Sequence, residues 1–138
     1  MFLTGVQALA RIPHQQLRAD REQGRSTAAF LSGYPGSPLA GLNFEIDKAR
    51  SLAPDLPIVH RPVLNEEHGA TAVMGSQLAP GQPDCVYDGI VGLWYGKAPG
   101  LDRAGDALRH AVFTGTSRHG GAVAFVGDDP AAKSSTLP

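Results

Sequence analysis

At 138 residues the chain is long enough to bury the core of a single domain. Charged residues make up 18% of it and the formal net charge is −1 with no basic block, so neither nucleic acid nor an anionic membrane surface is indicated as a partner. The single cysteine, Cys85, excludes an internal disulfide and any iron–sulfur cluster held by these residues alone, and points to a cytoplasmic setting. No apolar run approaches the roughly 18 residues of a membrane span, and the first residues lack the layout of a signal peptide. The chain opens directly in a helical pattern and stops just after a strand-like run. The expectation is therefore one domain, residues 1–138, truncated at both ends.

In chain order, Thr4 can cap a first helix with Val6, Leu9 and Ala10 on one face. Pro13 is expected to break or kink it, and a polar second segment runs to about Gln23, where Gly24 ends it. Residues 26–32 (STAAFLS) read as a short buried strand. The run Gly33-Tyr34-Pro35-Gly36-Ser37-Pro38 is a rigid turn, with Ser37 as N-cap and Pro38 at the first helical position. Behind it Leu39, Leu42, Ile46, Ala49 and Leu52 form an apolar helical stripe. A strand over residues 58–63 follows Pro57, and a helix capped by Asn65 runs to Ala79 before Pro80-Gly81. Residues 85–95 (CVYDGIVGLWY) read as a central strand, in which Gly89 and Gly92 mark a bulge or a close backbone approach. Residues 96–100 read as a loop. A helix from Leu101 carries Ala104, Leu108, Ala111 and Val112 on one face, and residues 122–126 (AVAFV) read as a buried strand.

This alternation predicts an α/β fold: three layers, a mostly parallel sheet of four or more strands with helices on both faces. Ligands collect at the carboxyl ends of such strands. Four polar loops share that edge, at residues 33–37, 63–67, 96–102 and 127–135. The second holds Asn65-Glu66-Glu67-His68. At 100° per residue Glu66 points the same way as Ala70, Val73 and Gln77, whereas Glu67 leans toward Met74 and Leu78. A carboxylate in line with an apolar stripe is unusual, because an unpaired buried charge is costly. Two readings stay open on pattern alone: both acids wet at a helix N-terminus, where the macrodipole favours them, or a carboxylate at a ligand site.

Familiar motifs are missing. Gly96-Lys97 has Val91 where a P-loop needs its first glycine, and no G-x-G-x-x-G follows a strand. The five histidines lack metal-ligand spacing, so no metal site is expected here. No serine stands in a G-x-S-x-G elbow. Trp94 and Tyr95 are expected to pack in the core, and Cys85 to behave as a small buried hydrophobe.

Three blocks in series do carry a signal: GYPGSP, NEEHGATAVMGSQLA and GLWYGKAPGLDRAGDALRHAVFTGTSRHGGAVAFVGDDPAAKSST. With the opening FLTGVQALARIP, they resemble the N-terminal part of the thiamine-diphosphate-dependent 2-oxoacid:ferredoxin oxidoreductases, specifically the long, fused indolepyruvate type. The resemblance implies a pyrimidine-binding domain, one of two related α/β domains that enclose thiamine diphosphate. It implies that Glu66 meets N1′ of the cofactor's aminopyrimidine, while Glu67 falls where no acid is required. By the same match Asn65, the turn residues Gly33, Tyr34, Pro35, Gly36 and Ser37, and Lys97 and Gly100 border the cofactor. The diphosphate-binding domain, its Mg²⁺ and the iron–sulfur clusters would lie elsewhere in the same enzyme or in a second subunit. The implied activity is oxidative decarboxylation of aryl 2-oxoacids to acyl-CoA, with CoA and ferredoxin as partners, in a homo-oligomeric, non-membrane enzyme. A pyruvate-type or non-oxidative thiamine-dependent enzyme is the alternative within that chemistry. A non-catalytic interaction domain of the same fold is the alternative outside it.

Overall fold

The computed structural model describes residues 2–36, 39, 41–128 and 131. Four strands form one sheet in the order β2-β1-β3-β4, and every neighbouring pair is parallel. The elements follow as α1 (Gly5–Glu22), β1 (Thr27–Gly33), α2 (Leu42–Ser51), β2 (Ile58–Pro62), α3 (Glu66–Leu78), β3 (Gly89–Lys97), α4 (Ala98–Arg103), α5 (Gly105–Thr114) and β4 (Gly121–Gly127). A single turn of 3₁₀ helix over Ala79–Gly81 closes α3. Helices α1 and α2 pack together on one face of the sheet, while α3 and α5 pack on the other. This is the expected three-layer α/β architecture. Among the described residues no helix is long and apolar enough to cross a membrane.

The two apolar layers have different makeups. Under α1 and α2 lie Leu17, Leu31, Leu42, Ile46, Leu56, Leu93 and Tyr95. Under α3, α4 and α5 the core is thinner, built on Ala70, Val73, Trp94 and Ala104. Strand alternation explains the division, since Leu93 and Tyr95 point to one face of β3 and Trp94 to the other.

Pro13 neither ends nor divides the first helix. One helix of 18 residues runs through it, opened by a capping box in which Thr4 and Gln7 satisfy each other's backbone N–H groups. An interior proline costs a helix about 3 kcal/mol. Here the ring is fully buried against the core, and that burial offsets part of the loss. At the far end Asp20, 4% exposed, accepts from Thr27 Oγ1 at 2.8 Å and from Gln16 Nε2 at 3.0 Å, tying α1 to the start of β1.

The second helix begins at Leu42 behind Gly41, with Leu39 buried ahead of it. The expected cap Ser37 and its neighbour Pro38 lie outside the described residues. Leu52 falls just beyond the helix and is 77% exposed, so the apolar stripe ends at Ala49. The third strand starts four residues later than expected, at Gly89, and runs two residues past Tyr95. Cys85 therefore precedes the strand and is half-buried. The glycines of this strand mark close approach and not a bulge: β1 and β3 pair without a break from Thr27↔Gly89 to Gly33↔Tyr95. A Cβ on Gly92 would sit 2.9 Å from Val73 Cγ1, so the glycine lets α3 lie directly on the sheet.

Residues 98–100, expected as loop, form the first turn of α4, since a proline in a first turn surrenders no helical hydrogen bond. Ala104 then separates α4 from α5, breaking the single helix expected from Leu101. Val112, expected on its inner face, is 82% exposed. The last strand is present but largely exposed where a buried strand was expected. Among the described residues nothing pairs with its outer edge.

Candidate functional site

Because all four strands are parallel, the residues that end them, Gly33, Pro62, Lys97 and Gly127, share one rim. From the central β1 the chain goes first to β2 on one side and then across to β3 on the other. The β1–β3 junction is therefore the topological switch point, where diverging connections leave a crevice.

The start of α3 sits over that junction. Asn65, in extended backbone geometry, caps the helix by accepting from the His68 N–H at 2.9 Å. A Cβ on Gly69 would lie 3.0 Å from Gly33 Cα and 3.2 Å from Val63 Cγ2, so the first turn rests on the end of β1 backbone to backbone. Trp94 Nε1 donates to the Glu66 carbonyl at 2.9 Å, fixing the same turn from the β3 side. The Glu66 side chain runs across the end of β3. A Cβ on Gly96 would meet Glu66 Cγ at 3.1 Å, and one on Gly100 would overlap its Cγ and carboxyl group. Two glycines thus make the slot in which this side chain lies.

Glu66 is half-buried, and its carboxylate has no hydrogen-bond partner among the described residues. The helical stripe behind it is buried at Ala70, Val73 and Gln77, as the periodicity requires. Glu67 and His68 are exposed. A carboxylate so placed can accept hydrogen bonds from a ligand at the rim.

Most of the sequence-derived site residues converge on this rim. Gly33 lies under Gly69, and the Tyr34 N–H donates to the Tyr95 carbonyl at 3.2 Å. A Cβ on Gly36 would stand 3.8 Å from Lys97 Cβ, which brings the turn after β1 beside the end of β3. Gly100 lines the Glu66 slot. Tyr34 is 40% exposed at the rim, and Pro35 is half-buried between it and Gly36. Ser37 is outside the described residues. Among those described, no group of three or more His, Cys, Asp and Glu side chains comes together as a metal site.

Sequence reasoning missed what stands behind the rim. Tyr95, fully buried, donates from its hydroxyl to Asn43 Oδ1 at 2.5 Å and is hydrogen-bonded with His60 Nε2 at 2.9 Å. His60 Nδ1 lies 2.9 Å from Asp47 Oδ1, which Arg50 Nη1 also approaches at 3.1 Å. Burial pushes the Tyr95 hydroxyl well above its ordinary range, and the Asp47 charge adds to this. Burial opposes ionisation of Asp47, but the hydrogen bond and charge of His60, then those of Arg50, outweigh it and hold the carboxyl below its usual range. This chain pins the end of β3 to α2 and β2 from beneath. The residues are far apart in sequence and carry no motif, so only the fold assembles them. Gly69, Gly96 and Gly100 were legible in principle, since a glycine inside a helix or strand signals close approach.

Several hollows lie away from the rim, among them one of about 260 Å³ between α1 and α2 and one of about 470 Å³ beside β4. No family model, curated protein or solved structure matches the chain.

Proposed function

We propose that the chain is the pyrimidine-binding half of a thiamine-diphosphate site in a 2-oxoacid oxidoreductase of the indolepyruvate type, with Glu66 as the cofactor-activating acid. The observation that carries this reading is the placement of Glu66. One half-buried carboxylate, without a donor among the described residues, lies across the switch-point rim in a slot made by Gly96 and Gly100. The resemblance of the NEEHGATAVMGSQLA block had singled out that acid and not its neighbour, and the geometry separates the two in the same sense.

On this reading the rim meets half of such a cofactor. An aminopyrimidine offers a flat, weakly basic ring, and Glu66 offers a single acceptor for a proton shared with one ring nitrogen. Residues 33–36, Asn65, Lys97 and Gly100 would border the ring. When bound, thiamine diphosphate supplies the electron sink that 2-oxoacid decarboxylation needs. This chain's part is to orient the ring and to hold or release one proton at the Glu66 carboxylate. Trp94 and the Gly33–Gly69 contact keep that carboxylate at a fixed depth, because a displacement of about 1 Å can cost on the order of 100-fold in rate. The diphosphate, its metal and the electron carriers belong to a partner domain.

The test is turnover of the assembled enzyme carrying Glu66→Gln beside Glu67→Gln. Loss of about 100-fold or more in kcat for Glu66→Gln, with thiamine diphosphate still bound and Glu67→Gln near wild type, supports the assignment. Equal activity of the two variants would overturn it.

A further inference from the structure

The hollow of about 260 Å³ between α1 and α2 has walls with a marked bias of charge. Helix α1 contributes Arg11 and Arg18, which stand one turn before and one turn after His14 on the same face, and α2 contributes Lys48. Against these three cations stands one acid, Glu45, which already accepts from Gln7 Nε2 at 3.5 Å. A chain of net charge −1 thus gathers an excess of positive charge in one concave place. The volume lies below the roughly 300–1,000 Å³ of a drug-sized pocket, so the ligand it suits is small.

His14 lines the same hollow and is 5% exposed. Neither ring nitrogen has a hydrogen-bond partner among the described residues, although the carbonyls of Ala10 and Ala49 stand near the ring. A neutral imidazole carries one N–H and can serve one of those carbonyls; an imidazolium carries two and can serve both. Burial opposes that charge, and Arg18 and Arg11 add repulsion. The strands packed on α1 bring no carboxylate to offset it. Strand β1 has no titratable side chain, and on β3 the Tyr95 hydroxyl is engaged with Asn43 and His60. Asp47 on α2 is engaged with His60 and Arg50.

We infer that the α1–α2 hollow is a binding site for a small, doubly charged oxyanion of the phosphate type, held by Arg11, Arg18 and Lys48, and that His14 takes up a proton when the anion binds. Guanidinium forks match the spacing of oxyanion oxygens, and the lysine adds a point charge. The anion cancels the repulsion that keeps His14 neutral. The imidazolium then donates to one carbonyl on each helix, so an occupied site ties α1 to α2. Binding and protonation favour each other, because each charge stabilises the other. The site lies away from the rim and stands whether or not Glu66 carries chemistry.

The experiment is calorimetric titration of the protein with sulfate, which stays doubly charged across the pH range used, against chloride at equal ionic strength. Binding should be about fivefold or more tighter at about pH 5.5 than at about pH 7.5, with net proton uptake measured in two buffers of different ionisation enthalpy. The ring carbon resonances of His14 should move toward the imidazolium position as sulfate is added. His14→Leu should bind without proton uptake, and Arg11→Gln combined with Arg18→Gln should weaken sulfate about tenfold or more. Circular dichroism checks that each variant is folded. Sulfate binding no stronger than the chloride control overturns the inference. So does binding that the double variant leaves unchanged, since the anion would lie elsewhere, or proton uptake that is absent from the wild type or survives His14→Leu.

Discussion

Strands β3 and β4 share a composition and differ in almost everything else. Both are parallel, both are rich in glycine and β-branched residues, and neither carries a charge except for Lys97 at the close of β3. Yet β3 is buried along nearly its whole length, while β4 is mostly open. The difference lies in their neighbours: among the described residues β3 has a strand on each side and helices on both faces, whereas β4 has one partner strand and a groove in place of a full helical cover. Composition says that a segment will be a strand. What covers it is decided elsewhere in the chain, or by another molecule.

Substitution should separate the two most sharply. Leu93→Ala empties a site with no exposed surface and should cost about 2–5 kcal/mol, whereas Val123→Ala on the adjoining strand should cost less than about 1 kcal/mol. Urea unfolding measures both. Similar costs would mean that β4 is as enclosed as β3.

A smaller effect probes the polar anchor that only β3 has. Tyr95→Phe keeps the ring but removes the hydroxyl, leaving Asn43 Oδ1 and His60 Nε2 without their partner. The expected loss is about 1–3 kcal/mol, because a buried polar group left unpaired costs more than a hydrogen bond gains. A neutral outcome would show that water reaches His60 and Asn43 in the variant.

The smallest effect is a pH dependence in the layer beneath β3. His14 is buried on α1, and neither ring nitrogen has a hydrogen-bond partner among the described residues. Burial lowers its proton affinity, the carbonyls of Ala10 and Ala49, near the ring but short of hydrogen-bonding geometry, partly oppose this, and Arg18 and Arg11 lower it further. The folded state thus binds the proton less readily than the unfolded chain, whose imidazole titrates near 6.5. Stability should be level with respect to His14 above that pH and fall as pH drops below it, because the unfolded state then takes up the proton first. His14→Leu should flatten the slope of unfolding free energy between about pH 6.5 and 5. Asp47 contributes at lower pH: its depressed folded-state pKa gives stability that is present above the ordinary carboxylate range and disappears as pH falls through the folded value.

How far the sequence could be read follows from the same contrast. The Asn65 cap, the buried Ala70–Val73–Gln77 stripe and the convergence of loops on one rim were local or topological consequences of spacing, and they were legible. The course of α1 through Pro13 was not, because the penalty of an interior proline is local while the burial that offsets it is tertiary. Nor was the exposure of β4, since AVAFV looks the same beneath a helix and at an open edge. At the candidate site the pattern left Glu66 and Glu67 as near equals, and only the resemblance singled out Glu66. The slot was not legible, because it depends on Gly96 and Gly100 standing opposite the start of α3, and the Asp47–His60–Tyr95–Asn43 chain spans three elements with no shared motif.

The hydrogen bond from Trp94 to the Glu66 carbonyl has a consequence of another kind. Trp94 is the only tryptophan among these 138 residues, so their tryptophan fluorescence comes from an indole whose one polar atom is fastened to the first turn of α3. The emission of this ring is an optical gauge of that turn: a ligand or neighbouring domain that shifts Glu66 alters the indole's hydrogen bond, and the spectrum moves without any label.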